Sequence, residues 1–148
     1  MNFTQLLYHI VFSTKGRANL IAKEVEPRLH AFMGGVVRDE GGLAYRIGGM
    51  PDHVHLLVRG RPDGCISDLV RHVKSRSTRW VHETFAGMQG FAWQEGYGAF
   101  TIGASQKDVV DQYIAGQERH HRGRSFEDEF LSLLRAYGVQ YDERFVLD

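Results

Sequence analysis

The alternation of apolar and polar positions divides the first half of the chain into three strands and a helix. An apolar run predicts a strand from Gln5 to Thr14, and apolar residues at helical spacing predict a helix from Val25 to Arg38. The apolar runs Leu43–Met50 and His53–Arg59 flank a Pro-Asp turn, which favours an antiparallel hairpin. The first half is therefore predicted as strand, helix, strand, strand.

The second half of the chain contains three further helices and more strand. A long amphipathic helix is predicted from about Ser67 to Phe85. Phe91–Gln94 and Tyr97–Ile102 are predicted as strand interrupted by glycines, and a helix that contains a tyrosine follows them. A last helix is predicted to begin at Ser125, in the N-cap position, and to end at Gly138.

The order strand, helix, strand, strand, helix, strand predicts an α+β fold. It is the order of a ferredoxin-like, split βαβ antiparallel sheet with helices packed on one face, to which the C-terminal helices are added. The 148 residues, 43% of them hydrophobic, supply one core and are too few for two ordinary domains. We therefore predict a single domain over residues 1–148.

Two histidines separated by one apolar residue open the third predicted strand. Side chains in a strand alternate faces, so His53 and His55 project from the same face, about 6.6 Å apart along the strand. Two imidazoles at this spacing can converge on one divalent ion. The alternative is a pair of half-exposed histidines that bond to neighbours or to water.

A tyrosine and a glutamine share one face of the helix that follows the last strand. Ser105 and Asp108 resemble a capping box at its start, and apolar residues at helical spacing follow. Tyr113 and Gln117 lie four residues apart, which places a phenol next to a carboxamide on the helix surface. The alternative is that Tyr113 packs against the apolar stripe with its hydroxyl in water.

Together, the four residues His53, His55, Tyr113 and Gln117 resemble the motifs of a known family. The first two resemble the HUH motif, in which U is hydrophobic, and the last two resemble the single-tyrosine motif of the small transposases that move insertion sequences as single-stranded DNA. The resemblance spans nearly the whole chain. Other segments that resemble the family, in family order, are Tyr8–Arg17, Trp93–Gln94, Gly96–Phe100, His120–His121, Ser125–Phe126 and Tyr141–Glu143.

The resemblance implies a DNA transposase that cleaves and rejoins single strands. His53, His55 and the carbonyl oxygen of Gln117 would hold Mg²⁺ or Mn²⁺, which neutralises and polarises a phosphodiester. Tyr113 would attack, form a 5′-phosphotyrosine and leave a 3′ hydroxyl, so that rejoining needs no ATP. Gln117 could instead orient Tyr113, and either member of the histidine pair that follows could compete for the ion.

The charges are unevenly distributed, although 18 basic and 18 acidic residues give a net charge of zero. Six basic residues and two acidic ones lie between Arg59 and Arg79, and the stretch from Phe126 onward has the opposite balance. A basic segment directly after the histidines suits a phosphate-bearing substrate, although it could also be a solvated helix face. The predicted DNA contacts are Arg71, Lys74, Arg76, Arg79, Lys15 and Arg17.

The resemblance also implies a partner and an assembly. The partner is single-stranded DNA with hairpin ends, and the assembly is a homodimer with shared active sites, in which the histidines of one subunit meet the tyrosine of the other. The apolar first strand is expected to be an exposed edge that could pair with its symmetry mate. Gly103–Ala104 is the hinge that would let the tyrosine helix cross over.

The sequence has neither an apolar run long enough for a membrane span nor a secretory signal, so we expect a cytoplasmic protein. The single cysteine, Cys65, excludes internal disulfides and a cysteine zinc site, and is expected to pack at a helix start. Three other functions fit the sequence. They are an HUH replication initiator or relaxase, a non-catalytic nucleic-acid-binding module, and a transposase recruited to host use or no longer active in transposition.

Overall fold

A four-stranded antiparallel sheet forms the centre of the protein. The computed structural model describes residues 1–148. The strands are β1 (Leu6–Ser13), β2 (Leu43–Met50), β3 (His53–Gly60) and β4 (Gly98–Ile102). They pair in the order β2-β3-β1-β4, and every neighbouring pair is antiparallel. The ferredoxin-like α+β fold predicted from the order of the elements is therefore confirmed.

Five α-helices accompany the sheet. They are α1 (Glu26–Asp39), α2 (Ile66–Thr84), α3 (Lys107–Ala115), α4 (Gln117–His120) and α5 (Phe126–Ala136). Two short 3₁₀ turns, Lys15–Arg17 and Ala104–Gln106, follow β1 and precede α3. None of the helices has the length and apolar character needed to cross a membrane.

The first strand is internal to the sheet and not an edge, contrary to the expectation from its apolar character. Leu7 pairs with Arg59 of β3 on one side and with Ile102 of β4 on the other. The edge strands are β2 and β4. An apolar strand is compatible with either position, because side chains project above and below the sheet and their burial does not depend on how many strands pair with it.

Alternation along β3 gives the sheet two different faces. Val54, Leu56 and Val58 are buried in a core that also contains side chains of α1 and α2. His53 and His55 project from the opposite face and are also fully buried. The sheet therefore separates α1 and α2 from the two histidines.

The C-terminal helices cover the histidine face. Val110 and Ile114 of α3 pack against Leu57 of β3. Phe126 and Phe130 of α5 pack in a second cluster with side chains of β1 and β4. Helices therefore cover both faces of the sheet, and α3 brings the tyrosine segment against the strand that carries the histidines.

Of the three predictions made for residues at helix starts, one is confirmed and two are wrong. Ser125 caps α5 as predicted, since the Asp128 N–H donates to its hydroxyl at 3.1 Å. The Ser105 capping box is wrong, because α3 starts after the 3₁₀ turn and the residue at its N-cap makes no side-chain hydrogen bond. Cys65 precedes α2 but is exposed and not packed. The spacing of Ser105 and Asp108 therefore does not predict the start of α3, because a 3₁₀ turn occupies that position.

Residues 91–94 do not form a strand, contrary to the prediction. An isolated bridge joins Trp93 to Thr14. The carboxamide oxygen of Gln94 accepts from the Ser13 N–H at 2.8 Å, and the Trp93 indole donates to a serine of α2 at 2.9 Å. Two backbone hydrogen bonds, from the Gln94 N–H to the Ser13 carbonyl and from the Lys15 N–H to the Ala92 carbonyl, therefore attach this segment to the end of β1 together with the Gln94 side chain, without forming a continuous ladder.

Candidate active site

The two histidines of β3 lie side by side, as the alternation predicts. Their ring centroids are 5.1 Å apart, and both residues are 0% exposed. Nε2 of His53 and Nε2 of His55 lie 3.3 and 2.9 Å from one carboxylate oxygen, Oε1 of Glu129. The inward nitrogens of both rings therefore converge on the same point.

The outer nitrogen of each imidazole has a partner of its own. His53 Nδ1 donates to Oδ1 of Asp52 at 2.7 Å, and His55 Nδ1 shares a 2.8 Å hydrogen bond with Nε2 of His9. His9 projects from β1 on the same face of the sheet and is 2% exposed. Because the partner of Nδ1 sets the tautomer and the ring orientation, these contacts present Nε2 of each histidine to the site.

Tyr113 and Gln117 approach the histidines from the end of α3. The single helix predicted for them is divided at Gly116, where α3 ends and α4 begins. Both side chains nevertheless donate to Oε2 of Glu129, Tyr113 through its hydroxyl and Gln117 through Nε2 at 2.9 Å. Oε1 of Gln117 lies 2.8 Å from Nε2 of His53. One chain thus brings together all four residues singled out from the motifs.

Glu129 lies at the centre of the site, although none of the sequence motifs includes it. It is 1% exposed. A signal for its position exists, because Glu129 follows Phe126 by three residues and therefore shares the apolar face of α5. A single carboxylate on an apolar helix face is a candidate for a functional group, since burial of an unpaired charge is costly.

His120 and His121, which follow Gln117, have different partners. His121 Nε2 lies 3.0 Å from Oε1 of Glu129 and 3.1 Å from Oε1 of Gln117, so this residue belongs to the cluster. The ring of His120 stacks on Tyr113 instead, with centroids 4.6 Å apart. Of the two histidines considered as competing ligands, His121 is the one that faces the ligand atoms.

Hydrogen bonding and burial shift the protonation of the cluster. The pKa of Tyr113 is raised, first by burial and then by its hydrogen bond to Glu129. Burial alone would lower the pKa of His53, but hydrogen bonds with Asp52, Glu129 and Gln117 outweigh it and raise that pKa to about 9. Burial also opposes ionisation of Glu129, yet its hydrogen bonds hold the pKa of that carboxyl well below its usual range. A negative charge is therefore stabilised at the centre of the site.

The residues present fit a divalent ion. Ligand atoms of His53, His55 and Glu129 lie within 4.8 Å of one another. Adjacent ligand atoms of a six-coordinate ion are about 3 Å apart, because each bond is about 2.1 Å long. The contacts between the imidazole nitrogens and the oxygens of Glu129 and Gln117 measure 2.8 to 3.3 Å. Imidazole and oxygen donors together suit Mn²⁺ and related ions, and the oxygens also suit Mg²⁺.

The basic residues of α2 lie across the sheet from the histidines. Arg71, Arg76 and Arg79 are exposed there, and each lies within 3.0 Å of a carboxylate oxygen. Lys74 donates to the backbone carbonyls of residues 94, 95 and 96, so its ammonium group is fully engaged. The expectation that this basic segment adjoins the histidines is wrong, because β3 and α2 are neighbours in sequence but α2 packs on the other face.

Lys15 and Arg17 lie at the same end of the sheet as the histidines. They follow β1, whose last residue, Ser13, pairs with His53. Lys15 is exposed, and Arg17 donates to Glu127 of α5 at 2.8 Å. Of the six predicted DNA contacts, these two are therefore the ones that lie beside the site.

A further group of cations follows Gln117, and the sequence analysis missed it. Arg119 and Arg122 are exposed and line a surface cavity together with Gly116. The charge of Arg124 acts on the Tyr113 phenol and opposes the rise of its pKa. None of these three arginines forms an ion pair, unlike those of α2. We call Arg119, Arg122 and Arg124 the arginine rim.

Comparison of the sequence with known proteins identifies one family. The sequence model of the family described as "Transposase IS200 like" matches residues 2–117. The ISDra2 transposase TnpA of Deinococcus radiodurans is 27% identical over 118 residues, which cover 76% of this chain and 84% of that protein. The matched segment contains both histidines, the tyrosine and the glutamine, whereas Glu129 lies beyond it.

Two solved structures resemble this one. A candidate transposase from Deinococcus radiodurans R1 superimposes with a TM-score of 0.63 at 27% identity, over 78% of this chain and 93% of that chain. A REP-associated tyrosine transposase, solved bound to a REP hairpin, also gives a TM-score of 0.63, over 82% of this chain and 72% of that chain. The sequence of that protein is 16% identical to this chain, so the comparison shows a shared fold.

Proposed function

This chain belongs to the IS200-like transposase family, and on that premise we propose that it cleaves and rejoins single-stranded DNA through a covalent bond to Tyr113. The observation that carries the proposal is the convergence of Tyr113, Gln117 and the two histidines on one buried carboxylate. Burying so many polar side chains in one place is costly for a module that only binds DNA. An enzyme that needs a metal ion and a nucleophile together accounts for it.

Four side chains of this chain would form the metal site, three as ligands and one as the hydrogen-bond partner of a ligand. A bound divalent ion, Mg²⁺ or Mn²⁺, would supply the Lewis acid that polarises the scissile phosphate. Nε2 of His53, Nε2 of His55 and Oε1 of Gln117 would hold it. Asp52 accepts the Nδ1 proton of His53 and so leaves the Nε2 lone pair of that ring free for the ion.

Tyr113 would be the nucleophile. Its phenol oxygen attacks the phosphorus, a bond between that oxygen and phosphorus forms, and the bond from phosphorus to the 3′ oxygen breaks. The phenol loses one proton and the departing 3′ hydroxyl gains one, so the reaction is balanced and its reversal rejoins the strand. Because burial and Glu129 raise the pKa of Tyr113, the phenol keeps its proton at neutral pH until a positive charge lies nearby. The 5′-phosphotyrosine polarity is taken from the family resemblance.

Single-stranded DNA with hairpin ends is the substrate that we propose. Lys15 and Arg17 would contact the part of the DNA nearest the histidines, and the α2 cations would contact DNA that passes around the sheet to the other face. Lys74 would exchange its carbonyl partners for a phosphate. The DNA contacts that the sequence predicts and that we propose here are Arg71, Lys74, Arg76, Arg79, Lys15 and Arg17.

We also propose a homodimer, which would join its subunits through β2 or β4, since these are the edges of the sheet. Tyr113 already meets His53 and His55 within one chain, so a dimer would not need to exchange helices to complete its sites. Sedimentation at micromolar concentration should give twice the monomer mass. A single species of monomer mass would refute the homodimer and leave the proposed chemistry intact.

The test of the proposed function is a search for the covalent adduct. End-labelled single-stranded DNA with candidate terminal hairpins is incubated with Mg²⁺ or Mn²⁺ and either the native chain, Tyr113→Phe or Tyr137→Phe. Tyr137 is the matched control, because its ring stacks on Phe100 and a phenylalanine keeps that contact. A slow band that survives denaturation should form with the native chain and Tyr137→Phe. Adduct formation by Tyr113→Phe, or metal-independent binding without cleavage across all substrates, would refute the proposal.

A further inference from the structure

We propose that Glu129 is a ligand of the metal ion, so that two histidines and a carboxylate form the centre together with Gln117. The inference rests on the proposed function, which supplies the ion, and deepens it by naming the residue that sets the charge of the site. Glu129 lies outside residues 2–117, the segment that the family model matches, so membership of the family does not assign it this role.

Oε1 of Glu129 has the position of a third ligand atom. It lies 2.9 Å from Nε2 of His55 and 3.3 Å from Nε2 of His53. The outer nitrogens of both rings are engaged by other residues, so these inward nitrogens are the ones available to an ion. Separations near 3 Å are those of adjacent ligands around a six-coordinate ion. The carboxylate oxygen therefore has the spacing of a ligand that neighbours both histidines.

The other oxygen of Glu129 is held by different donors. Oε2 accepts from the hydroxyl of Tyr113 and from Nε2 of Gln117. This division leaves Oε1 facing the imidazoles, and hydrogen bonds to the second oxygen are how proteins orient a metal-bound carboxylate. It also links the nucleophile to the ion through a single side chain, which positions Tyr113 beside the metal.

The burial of Glu129 favours a cation beside it. Phe126 and Phe130 anchor its helix in the core, and Glu129 itself is 1% exposed. A buried carboxylate is costly unless hydrogen-bond donors and a positive charge compensate it. When His53 and His55 bind an ion through their lone pairs, neither ring carries that charge, and the ion supplies a positive charge in their place.

A carboxylate among the ligands has a consequence for ion selectivity. It adds one negative charge to a set of neutral ligands, and the two imidazoles favour first-row transition ions over Mg²⁺. This chain should therefore bind Mn²⁺ more tightly than Mg²⁺, and the carboxylate should contribute strongly to the affinity for either ion.

The test measures ion binding without DNA, by calorimetric titration of Mn²⁺ into the full chain. Glu129→Gln keeps the shape of the side chain and removes its charge, whereas Glu129→Asp keeps the charge and shortens the side chain. Asp128→Asn is the control, because Asp128 is exposed on the same helix. Glu129→Gln should weaken Mn²⁺ binding tenfold or more, Glu129→Asp should weaken it less, and the control should stay within twofold of the native chain.

Mn²⁺ binding by a folded Glu129→Gln that equals or exceeds that of the native chain would overturn the inference. So would weaker binding by Glu129→Asp than by Glu129→Gln, since that order indicates that shape matters and charge does not. A measurement on the unaltered chain keeps the test decisive if the variants do not fold. Mn²⁺ should shift carboxylate stretching bands in the difference infrared spectrum, and an unshifted spectrum would overturn the inference as well.

Failure of this inference and failure of the proposed function give different results. If the native chain forms the Tyr113 adduct and Glu129→Gln binds Mn²⁺ equally well, the role of Glu129 alone is wrong. If the native chain binds Mn²⁺ through Glu129 and Tyr113→Phe still forms the adduct, the proposed nucleophile is wrong and the metal ligand stands.

Discussion

Gln117 donates a 2.9 Å hydrogen bond from Nε2 to Oε2 of Glu129. The contact sets the orientation of the amide, because Oε1 of Gln117 then faces Nε2 of His53 at 2.8 Å. Gln117 is 2% exposed, so water does not replace either contact. The carboxamide therefore contacts both neighbours at once, since its N–H group donates to the carboxylate and its oxygen faces the imidazole nitrogen.

Gln117→Glu should destabilise the ion-free protein. The substitution removes the donor to Glu129 and puts a second carboxylate beside the first, which should lower the free energy of unfolding by about 1–3 kcal/mol. Excess Mn²⁺ should restore much of the loss, since the ion would neutralise both carboxylates. Urea unfolding with and without Mn²⁺ measures both effects.

Gln112→Glu is the control for this prediction, because Gln112 is exposed on α3 and the change adds the same charge. It should alter stability by a few tenths of a kcal/mol, as is usual for exposed sites. An equal loss in both variants would show that the contact with Glu129 contributes nothing.

Gly48→Ala should displace the tyrosine helix. A Cβ at position 48 would lie 2.8 Å from the carbonyl oxygen of Ile114 and 2.9 Å from its Cγ2. Since the contact is mainly with backbone, α3 must move away from β2, at a cost of about 1–3 kcal/mol in the free energy of unfolding. Adduct formation should fall as well, because Tyr113 directly precedes the displaced residue.

Gly35→Ala is the matched control, since a Cβ there would meet no atom within 4 Å. Gly35 lies inside α1, where alanine favours the helix by about 0.5–1 kcal/mol. The control should therefore be more stable than the native chain and equally active. Full adduct formation by Gly48→Ala would contradict the importance of this close approach.

Loss of the exposed arginines of the rim should impair both binding and cleavage. Arg119 and Arg122 line a surface cavity with Gln112 and Ala115 of α3, the helix that carries Tyr113, and they form no ion pair, so they are free to contact phosphate. Their joint replacement by alanine should slow adduct formation and reduce the slope of log affinity against log salt by about 1–2. Filter binding over a salt series and a time course of the adduct measure the two effects.

The comparison pair is Arg71→Ala with Arg79→Ala, two arginines on the far side of the sheet. It should weaken binding of hairpin DNA and flatten its salt dependence, without changing the rate of adduct formation at saturating DNA. An unchanged slope would show that these α2 arginines are solvated surface. If adduct formation slowed in this pair and not in the Arg119 and Arg122 variant, the α2 arginines and not the arginine rim would be the ones that act at the cleavage site.

His30 should make the fold sensitive to mild acid. Burial lowers its pKa from 6.5 to about 4, so the folded state binds this proton less tightly than the unfolded state. The resulting stability is fully present above pH 6.5 and is lost as the pH falls toward 4. Between pH 7 and pH 4.5, the native chain should lose about 2 kcal/mol more than His30→Gln. Parallel losses in urea unfolding at these two pH values would exclude this role for His30.

Local periodicity predicts most of the fold because secondary structure depends on neighbours in sequence. Alternation placed His53 and His55 on one face, and helical spacing placed Tyr113 and Gln117 together, although the helix divides between them. The same reasoning was wrong for β1 as an edge strand, because the apolar character of a strand does not reveal how many neighbours it has.

The sequence by itself determined the order of the strands and helices, the paired histidines and the spacing of the tyrosine from the glutamine, since each is a short-range property of the chain. Only the tertiary structure decided that Glu129 enters the site, that α2 lies on the far face, and that the charge of Arg124 acts on Tyr113. These relations depend on which face of the sheet each helix covers. That choice follows from the burial of whole apolar faces against one another, to which residues distant in sequence contribute together.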